Sequence, residues 1–315
     1  MKTLICVTLS TFAEFDKKPL QLLQESGNKF LLNTSNRRMT KEEVIDRAKN
    51  AVVVIAGIEP YDKHVLDKLD KLRCISRCGA GIDNINLEVA KNKGIVIKNT
   101  PDVVTLPVAE LTIGMIFDLL KRLTYYTQTM RLRIWEKIEG GLLSGRKVGV
   151  LGLGRIGRKV SEMLMRLGAI VYGFDLYPDV SWADKNKVQI VSKNFILKKC
   201  DIITIHIASQ KIEDYIIGKK EIEVMKKGAF LVNTSRGKFL DEIALYDALK
   251  SNHLGGAALD VYSQEPYDGP LCDLNNVVLT PHIATLTRES RTLMEIEAVK
   301  NAIDFLKMGA KRDKS

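Results

Sequence analysis

Apolar and amphipathic stretches alternate through the first hundred residues of this chain. The apolar stretches are short and rich in valine and isoleucine, as buried β-strands are, whereas the amphipathic stretches between them are typical of helices. This alternation predicts an α/β fold in which a parallel sheet carries helices on both faces. The predicted strands cover residues 3–9, 30–33, 51–57, 74–78 and 95–98.

Two of the amphipathic stretches carry clear helix boundaries. Thr40 and Glu43 form a capping-box pattern at the start of a helix predicted over residues 41–49. Gly94 follows a helix predicted over residues 86–93, and glycine is common just after a helix end. These boundaries support the assignment of the first hundred residues to one doubly wound unit.

The same alternation begins again after Gly145. A strand predicted over residues 147–151 leads into a glycine-rich turn, a helix and a second strand. The last amphipathic stretch follows this second unit, and we expect it to return to the first. We therefore predict two Rossmann-like doubly wound parallel-sheet domains, a discontinuous one of residues 1–98 and 287–315 and a second of residues 99–286.

The composition fits a folded protein with two cores. Of the 315 residues, 45% are hydrophobic and 27% are charged, as in ordinary globular domains. The five cysteines are odd in number and lack the paired spacing of metal ligands. We expect them to be reduced thiols of a cytoplasmic protein, and we expect no metal.

A formal net charge of +10 raises the question of nucleic-acid binding. The lysines alternate with acidic residues along the predicted helices, as they do on solvated faces, and no basic stripe is interleaved with aromatic residues. No apolar stretch approaches the length of a membrane span. We therefore expect neither a nucleic-acid nor a membrane partner, and the positive charge fits an anionic substrate better.

The glycine-rich turn has the pattern of a dinucleotide-binding motif. Gly152, Gly154 and Gly157 follow a predicted strand and open a predicted helix, where they allow a tight turn, close approach of a pyrophosphate and close helix packing. Asp175 ends the next strand and is placed to bind the ribose hydroxyls. Its charge would repel a 2′-phosphate, so the motif predicts NAD as the cofactor rather than NADP.

Three later strands each lead to a residue that acid–base chemistry can use. Arg236 follows the strand predicted over residues 228–235, Glu265 the one over 256–261, and His282 the one over 277–280. The carboxyl ends of parallel strands lie along one edge of a sheet, so these side chains are expected to converge there. Each alone could be a solvated or structural residue, but together and in this order they predict a catalytic site.

Taken together, these motifs resemble the D-isomer-specific 2-hydroxyacid dehydrogenase family, and within it the short phosphoglycerate dehydrogenase-like members. The resemblance implies two Rossmann-like domains with a cleft between them, the first binding substrate and the second binding NAD. It extends over nearly the whole chain, in ordered segments at residues 77–85, 99–101, 108–112, 152–157, 233–237, 258–266 and 280–283.

The resemblance implies a role for each strand-end residue. Arg236 would hold the substrate carboxylate and polarise its keto oxygen. His282 would be the acid and base at that oxygen, and Glu265 would bind the other imidazole nitrogen. Backbone amides of Gly79, Ala80 and Gly81 would bind the carboxylate as well.

The same resemblance implies further cofactor contacts beyond the glycines and Asp175. Asp260 would hold the nicotinamide carboxamide. His206 is placed by the sequence itself, since it lies at the end of a strand predicted over residues 202–207, and we expect it to line the cofactor pocket without taking part in the chemistry. The remaining implied contacts are Thr105, Arg155 and Ile156.

The substrate is left open by a departure from the family pattern. The phosphoglycerate enzymes usually carry arginine and serine just after the third strand, where this chain has the sequence Ala-Gly-Ile-Glu-Pro at residues 56–60. A small 2-hydroxy or 2-keto acid is expected, either 3-phosphoglycerate or, alternatively, hydroxypyruvate or glyoxylate. A member of a different class, an NAD-sensing binding protein of the corepressor type, would also keep the three strand-end residues.

The apolar pattern within residues 107–130 predicts that the protein forms an oligomer. The central part of this segment is apolar on almost every side, so a helix there would be buried on more than one face. We predict that it packs between the domains and against a second copy of the chain. The family usually forms dimers, so the expected assembly is a homodimer joined through the second domain, with Trp135 near the partner.

Overall fold

The computed structural model of the chain describes residues 4–207 and 214–312, with side chains described as far as Met308. Residue 3, with which the first predicted strand begins, lies outside the described residues. The chain divides into two compact units. Unit 1 consists of Met1–Val104 and Thr285–Ser315, and unit 2 of Thr105–Ala284.

Within the described residues, unit 1 is built on a five-stranded parallel sheet with the order β2-β1-β3-β4-β5. The strands are β1 Leu4–Val7, β2 Lys29–Leu32, β3 Val53–Ala56, β4 Cys74–Arg77 and β5 Val96–Lys98. Its helices are α1 Lys18–Glu25, α2 Lys41–Ala48, α3 Lys63–Asp67, α4 Leu87–Asn92 and, at the far end of the chain, α12 Arg288–Arg312.

Both faces of this sheet are buried, as expected for parallel strands. Ile5 and Val7 point into a core shared with α1 and α12, whereas Cys6 points to the opposite core, formed with α2, α3 and α4. All three residues are fully buried. A fully buried valine or isoleucine side chain contributes about 1.5–3 kcal/mol, so this period-two alternation stabilises both layers of helices on the sheet.

Unit 2 contains, in its described part, a seven-stranded parallel sheet with the order β12-β11-β10-β9-β6-β7-β8. The strands are β6 Lys147–Leu151, β7 Ile170–Phe174, β8 Gln189–Ile190, β9 Ile202–Ile205, β10 Phe230–Asn233, β11 Gly256–Leu259 and β12 Val277–Leu279. The helices are α5 Thr105–Lys121, α6 Leu123–Arg131, α7 Arg155–Arg166, α8 Val180–Lys185, α9 Lys193–Lys199, α10 Lys219–Val224 and α11 Glu242–Lys250.

The order of strands in unit 2 reverses direction between β6 and β9, which are neighbours in the sheet. In a doubly wound sheet the crevice outside this reversal, at the carboxyl ends of the strands, is where ligands bind. The two parallel sheets confirm the predicted fold class. Most of the predicted strands are shorter in the structure, whereas those predicted over residues 30–33 and 147–151 keep their lengths.

The predicted capping box at the start of α2 is present. The Thr40 hydroxyl accepts a hydrogen bond from the Glu43 amide, and a carboxylate oxygen of Glu43 accepts one from the Thr40 amide at 2.8 Å. Both amides would otherwise lack a partner at the helix start.

The segment 107–130 lies in two helices. Arg122 adopts a left-handed backbone conformation, with φ of 55°, and separates α5 from α6. The Asp118 carboxylate accepts a hydrogen bond from the Thr124 amide at 2.8 Å and so satisfies the start of α6. Most apolar residues of α5 are buried within unit 2, where α5 packs on α7 and on β10, β11 and β12.

None of the described helices combines the length and the apolar composition that a membrane-spanning helix requires.

Candidate active site

Three neighbouring strands of unit 2 carry the residues that the sequence singles out. The strands β10, β11 and β12 are adjacent and parallel, so their carboxyl ends lie side by side. Arg236 follows β10, Glu265 lies in the loop after β11, and His282 lies three residues beyond the end of β12. The predicted convergence at one sheet edge therefore rests on the register of these three strands.

His282 and Glu265 form a direct pair. The Nδ1 atom of His282 lies 2.9 Å from Oε2 of Glu265, and the Tyr262 amide donates to Oε1 of the same carboxylate at 3.2 Å. The two side chains are 52% and 39% exposed, so the pair is open to a bound small molecule. Because Nδ1 is engaged, the other ring nitrogen, Nε2, is the one that can exchange a proton with a ligand.

The loop that carries His282 is held from below by Asp260. This carboxylate is fully buried and accepts hydrogen bonds from the Thr280 hydroxyl at 2.6 Å and from the amides of Ile283 and Ala284 at 2.8 and 3.0 Å. Burial raises the pKa of Asp260, and the three hydrogen bonds oppose that rise.

The Asp260 carboxylate therefore stabilises the conformation of the loop that carries His282. His282 itself has a left-handed backbone, with φ of 56°, a conformation that a non-glycine residue keeps only when its surroundings enforce it. The hydrogen bonds of Asp260 to the next two amides enforce it here. The predicted contact of Asp260 with a nicotinamide carboxamide stays a prediction.

Arg236 sits in extended backbone between β10 and a short 3-10 turn, Gly237–Phe239. The Asn233 side-chain amide donates to the Arg236 carbonyl at 3.0 Å, and Nη1 of Arg236 donates to the Ser235 carbonyl at 2.7 Å. A Cβ atom at Gly237 would lie 1.8 Å from the Tyr262 carbonyl carbon. Glycine is thus required after Arg236 because the loop after β11 crosses its backbone at this point.

The glycine-rich turn after β6 has the features of a dinucleotide site. Gly152 has a φ of 96°, and a Cβ atom at Gly157 would lie 1.9 Å from the Gly152 carbonyl oxygen. Gly154, by contrast, is exposed, and a Cβ atom there would meet nothing within 4 Å. It caps the start of α7 without a side-chain hydrogen bond, so this helix end and the open backbone fit a pyrophosphate.

Asp175 is fixed beside that turn. One of its carboxylate oxygens accepts a hydrogen bond from the Leu153 amide at 2.7 Å, and the other accepts one from the Tyr177 amide at 2.9 Å. These bonds tie the end of β7 to the glycine-rich turn. They hold a carboxylate where the ribose of a dinucleotide would lie.

His206 lies directly behind the glycines. The carbonyl group of its backbone is within 2.7 Å of a Cβ atom built on Gly152. Its ring is buried, and its Nε2 shares a hydrogen bond of 2.9 Å with the Thr204 hydroxyl. Burial lowers the pKa of His206 to about 3, so the ring is neutral and unsuited to acid–base chemistry near pH 7.

The other predicted cofactor residues of unit 2 lie at helix starts. Arg155 and Ile156 are the first two residues of α7, and Thr105 is the first residue of α5. Together with the glycines and Asp175, Arg155 and Ile156 form a group that fits a dinucleotide. Their contacts with the cofactor stay predictions.

In unit 1, the predicted carboxylate-binding turn follows β4. Gly79 has a φ of 137°, and its amide donates to the Thr100 hydroxyl at 2.8 Å. Among the described residues, none accepts a hydrogen bond from the amides of Ala80 or Gly81. These two amides, rather than all three, are therefore available to a carboxylate.

Several supporting residues had no signal in the sequence. Tyr262 stacks on Tyr267 with 4.5 Å between the ring centroids, and its hydroxyl bridges the carbonyls of Leu259 and Thr280. A buried hydrogen bond of 2.9 Å joins the hydroxyls of Thr112 and Thr234. These pairs become neighbours only through the folded sheet, so spacing along the chain could not reveal them.

Comparison with known proteins gives a consistent family. Residues 113–284 match the family model described as the NAD binding domain of D-isomer specific 2-hydroxyacid dehydrogenases. The chain is 38% identical over 258 residues to the D-3-phosphoglycerate dehydrogenase of Methanocaldococcus jannaschii, covering 80% of this chain and 49% of that protein. It is 33% identical over 300 residues to the glyoxylate reductase of Thermofilum pendens, covering 91% of this chain and 88% of that protein.

A solved structure extends the similarity to both units. The crystal structure of the D-lactate dehydrogenase of Aquifex aeolicus, complexed with NAD and lactic acid, has a TM-score of 0.84 to this chain at 25% sequence identity. The match covers 99% of this chain and 98% of that one. By contrast, the chain spans about half the length of the D-3-phosphoglycerate dehydrogenases it matches.

Proposed function

The chain belongs to the D-isomer specific 2-hydroxyacid dehydrogenase family, and from this premise we propose that it is an NAD-dependent oxidoreductase acting on a small 2-hydroxy or 2-keto acid. The observation that carries the proposal is the pairing of His282 with Glu265 at 2.9 Å, beside Arg236 on the next strand but one. An acid–base residue, its orienting carboxylate and a guanidinium are the groups that reduction of a keto acid requires.

Each residue has one task in this proposal. Bound NADH supplies the hydride that adds to C2 of the keto acid. His282 donates a proton from Nε2 to the keto oxygen on reduction and removes it on oxidation. Glu265 holds the ring through Nδ1 and so directs Nε2 to the substrate. Arg236 pairs with the substrate carboxylate through its planar set of donors.

We further propose that the chain prefers NADH to NADPH. The second unit contains the NAD-binding domain of the family, and the Asp175 carboxylate is locked beside the glycine-rich turn by two backbone amides. A 2′-phosphate at this point would face that negative charge. Repulsion of this kind in a partly buried site costs a few kcal/mol, which is about two orders of magnitude in preference.

The identity of the substrate is a finer question than the class of reaction. Two of the activities named for the relatives are candidates for this chain. Glyoxylate or hydroxypyruvate reduction is one, and it is the activity named for the relative that this chain covers at 88%. Oxidation of 3-phosphoglycerate is the other, and it is named for relatives of about twice the length. A non-catalytic, NAD-sensing binding protein is a third possibility, from a different class.

A panel of 2-keto acids with NADH tests the proposal. Glyoxylate, hydroxypyruvate, 3-phosphohydroxypyruvate and pyruvate are each mixed with the protein, and loss of nicotinamide absorbance is followed with NADH and with NADPH. We expect turnover of at least one acid and a preference for NADH of about a hundredfold. Binding of NADH with no turnover of any acid would favour the binding protein instead.

We also propose that the chain forms a homodimer through unit 2. The helix α5 is mostly buried in its own unit, but α6 and the segment after it expose a set of large apolar side chains. Trp135 is 79% exposed. So many exposed large apolar side chains in one segment of the chain favour an interface there, and a second copy is the commonest partner. The set comprises Leu123, Met130, Leu132, Ile134, Trp135 and Leu142.

A further inference from the structure

A buried carboxylate at the sheet edge of unit 1 has no part in the chemistry described so far. Glu59 lies in the loop after β3, residues 57–60, and only 2% of it is exposed. Because β3 and β4 are neighbours, this loop lies beside the turn that holds Ala80 and Gly81. The Asn84 side-chain amide joins the two segments by donating to the carbonyls of Gly57 and Glu59.

The Glu59 carboxylate is bound as an external anion would be. Its Oε2 accepts hydrogen bonds from the Gly57 amide at 2.8 Å and from the Thr8 hydroxyl at 3.1 Å. The Tyr61 hydroxyl, also fully buried, lies 2.9 Å from the same Thr8 hydroxyl. One backbone amide and a chain of two hydroxyls thus converge on a single carboxylate oxygen.

Because Gly57 has no side chain, the Glu59 carboxylate can lie directly against its backbone. A Cβ atom there would lie 3.0 Å from both carboxylate oxygens of Glu59. The space over this backbone is therefore filled by the chain's own carboxylate. A phosphate or a second carboxylate of a ligand has no room on the same amide.

The charges around residues 57–60 also disfavour an anionic group of a ligand. Residues 57–60 include no lysine or arginine. Burial raises the pKa of Glu59, while its hydrogen bonds and the charge of Arg77 lower it. The positive charge of Arg77 is thus partly offset by Glu59, and the tip of the loop presents Ile58, which is 57% exposed.

We infer that Glu59 is a specificity-determining residue, which favours 2-keto acids with a hydrogen or hydroxyl on the third carbon over those with a phosphate ester or a carboxylate there. The inference rests on the proposed function. A substrate whose carboxylate lies on the amides of Ala80 and Gly81 is one strand spacing, about 4.8 Å, from the loop after β3, and the Asn84 side chain ties that loop to the same turn. A substituent on its third carbon is therefore within reach of this loop. At the loop after β3 an anionic substituent meets a carboxylate that already occupies the amide.

The test compares hydroxypyruvate with 3-phosphohydroxypyruvate, which differ only in the phosphate. We expect the wild-type chain to have a kcat/KM at least about tenfold higher for hydroxypyruvate, because like charges repel strongly in a partly buried site. Glu59→Gln keeps the shape of the side chain and removes its charge, so the ratio should fall several-fold or more. Glyoxylate, which lacks a third carbon, should be reduced equally by both proteins.

Tyr61→Phe is the matched control, since it disturbs the same buried cluster but leaves the carboxylate. Its ratio should equal that of the wild type. An equal change in both variants would assign the effect to disturbed packing and overturn the inference. The ratio for the wild type is measured without any variant. A preference of the wild type for the phosphorylated acid would therefore overturn the inference even if Glu59→Gln fails to fold. No turnover of any of the three acids would contradict the proposed function itself.

Discussion

At the scale of single residues, the candidate site depends on how His282 is held. Its ring is fixed by Glu265, and its backbone is held in a left-handed conformation by hydrogen bonds from the following amides to Asp260. The two carboxylates thus act on different parts of the same residue. Glu265 is partly exposed and contacts the ring, whereas Asp260 is fully buried and accepts hydrogen bonds from the backbone that follows the ring-bearing residue.

Substitution of Glu265 by glutamine tests the first contact. The amide can still accept a hydrogen bond from Nδ1, but the negative charge beside the ring is lost. Because that charge favours the ring in the form that donates a proton, kcat/KM for keto-acid reduction should fall by about two- to fivefold, as expected for loss of a partly exposed charge pair.

The measurement is kcat/KM for the best keto acid with NADH at one fixed pH. An unchanged kcat/KM would count against the pairing of His282 with Glu265. Glu242→Gln is a suitable comparison, because Glu242 binds the Ser263 amide and hydroxyl in the same loop without contact to His282.

The positions of the strand-end residues can be predicted from the sequence, but the residues that support them cannot. Arg236, Glu265 and His282 are identifiable because each follows an apolar strand. The roles of Thr280 and Thr100 depend on which loops meet after folding. The fold-back of Glu59 onto Gly57 depends in addition on the burial of Thr8 and Tyr61, which no local pattern reports.

At the scale of elements, the turn between β6 and α7 contains one glycine required for packing and another that is open to a ligand. Gly157 lies where the helix presses on the Gly152 carbonyl, whereas Gly154 faces open space. Both belong to one motif, yet the structure assigns them different physical reasons for being glycine.

A pair of alanine substitutions tests this division. Gly157→Ala places a Cβ atom 1.9 Å from a backbone oxygen, and forced overpacking of this kind costs about 1–3 kcal/mol or more. For a unit of this size, that lowers the melting temperature by roughly 3–10 °C. Gly154→Ala should leave the melting temperature within about 1 °C, because its Cβ atom meets nothing.

Binding of NADH, followed by fluorescence, provides the second readout for this pair. Gly154→Ala should weaken binding by about tenfold or more if a pyrophosphate approaches this backbone closely. Unchanged NADH affinity in a stable Gly154→Ala protein would contradict the placement of the pyrophosphate.

Element boundaries are predictable where a local signal exists. The start of α2 follows from its capping box, and most strands follow from apolar runs. The break between α5 and α6 could not be predicted, since it occurs at Arg122 rather than at a glycine or proline. The hydrogen bond from the Thr124 amide to Asp118 stabilises that break only once the turn has formed.

At the scale of the whole molecule, the helix on which the sequence predicts an interface is mostly covered by its own unit. The apolar pattern of residues 111–117 predicts an interface on α5, but α5 is mostly buried in the core of unit 2. The exposed apolar side chains on which the proposed dimer rests lie instead on α6 and on the segment that leads to Leu142.

Light scattering at micromolar concentration tests the proposed homodimer. A chain mass of 35.3 kDa predicts a particle of about twice that mass, as two-fold closure requires. Trp135→Ser should shift the equilibrium toward the monomer, because it removes a large apolar side chain from the proposed interface. Trp182→Ser is the control, since Trp182 packs under Arg158 elsewhere in unit 2. A wild-type monomer with full activity would contradict the proposed dimer.

Turnover of His282→Ala tests the proposed chemistry most directly. The rate of NADH oxidation with the best keto acid is measured for the wild type, for His282→Ala and for His64→Ala, which removes an exposed histidine of α3 in unit 1. We predict that His282→Ala loses about two to four orders of magnitude in kcat while its affinity for NADH stays within about twofold. His64→Ala should match the wild type. Full turnover by His282→Ala would contradict the assignment of His282 as the acid and base.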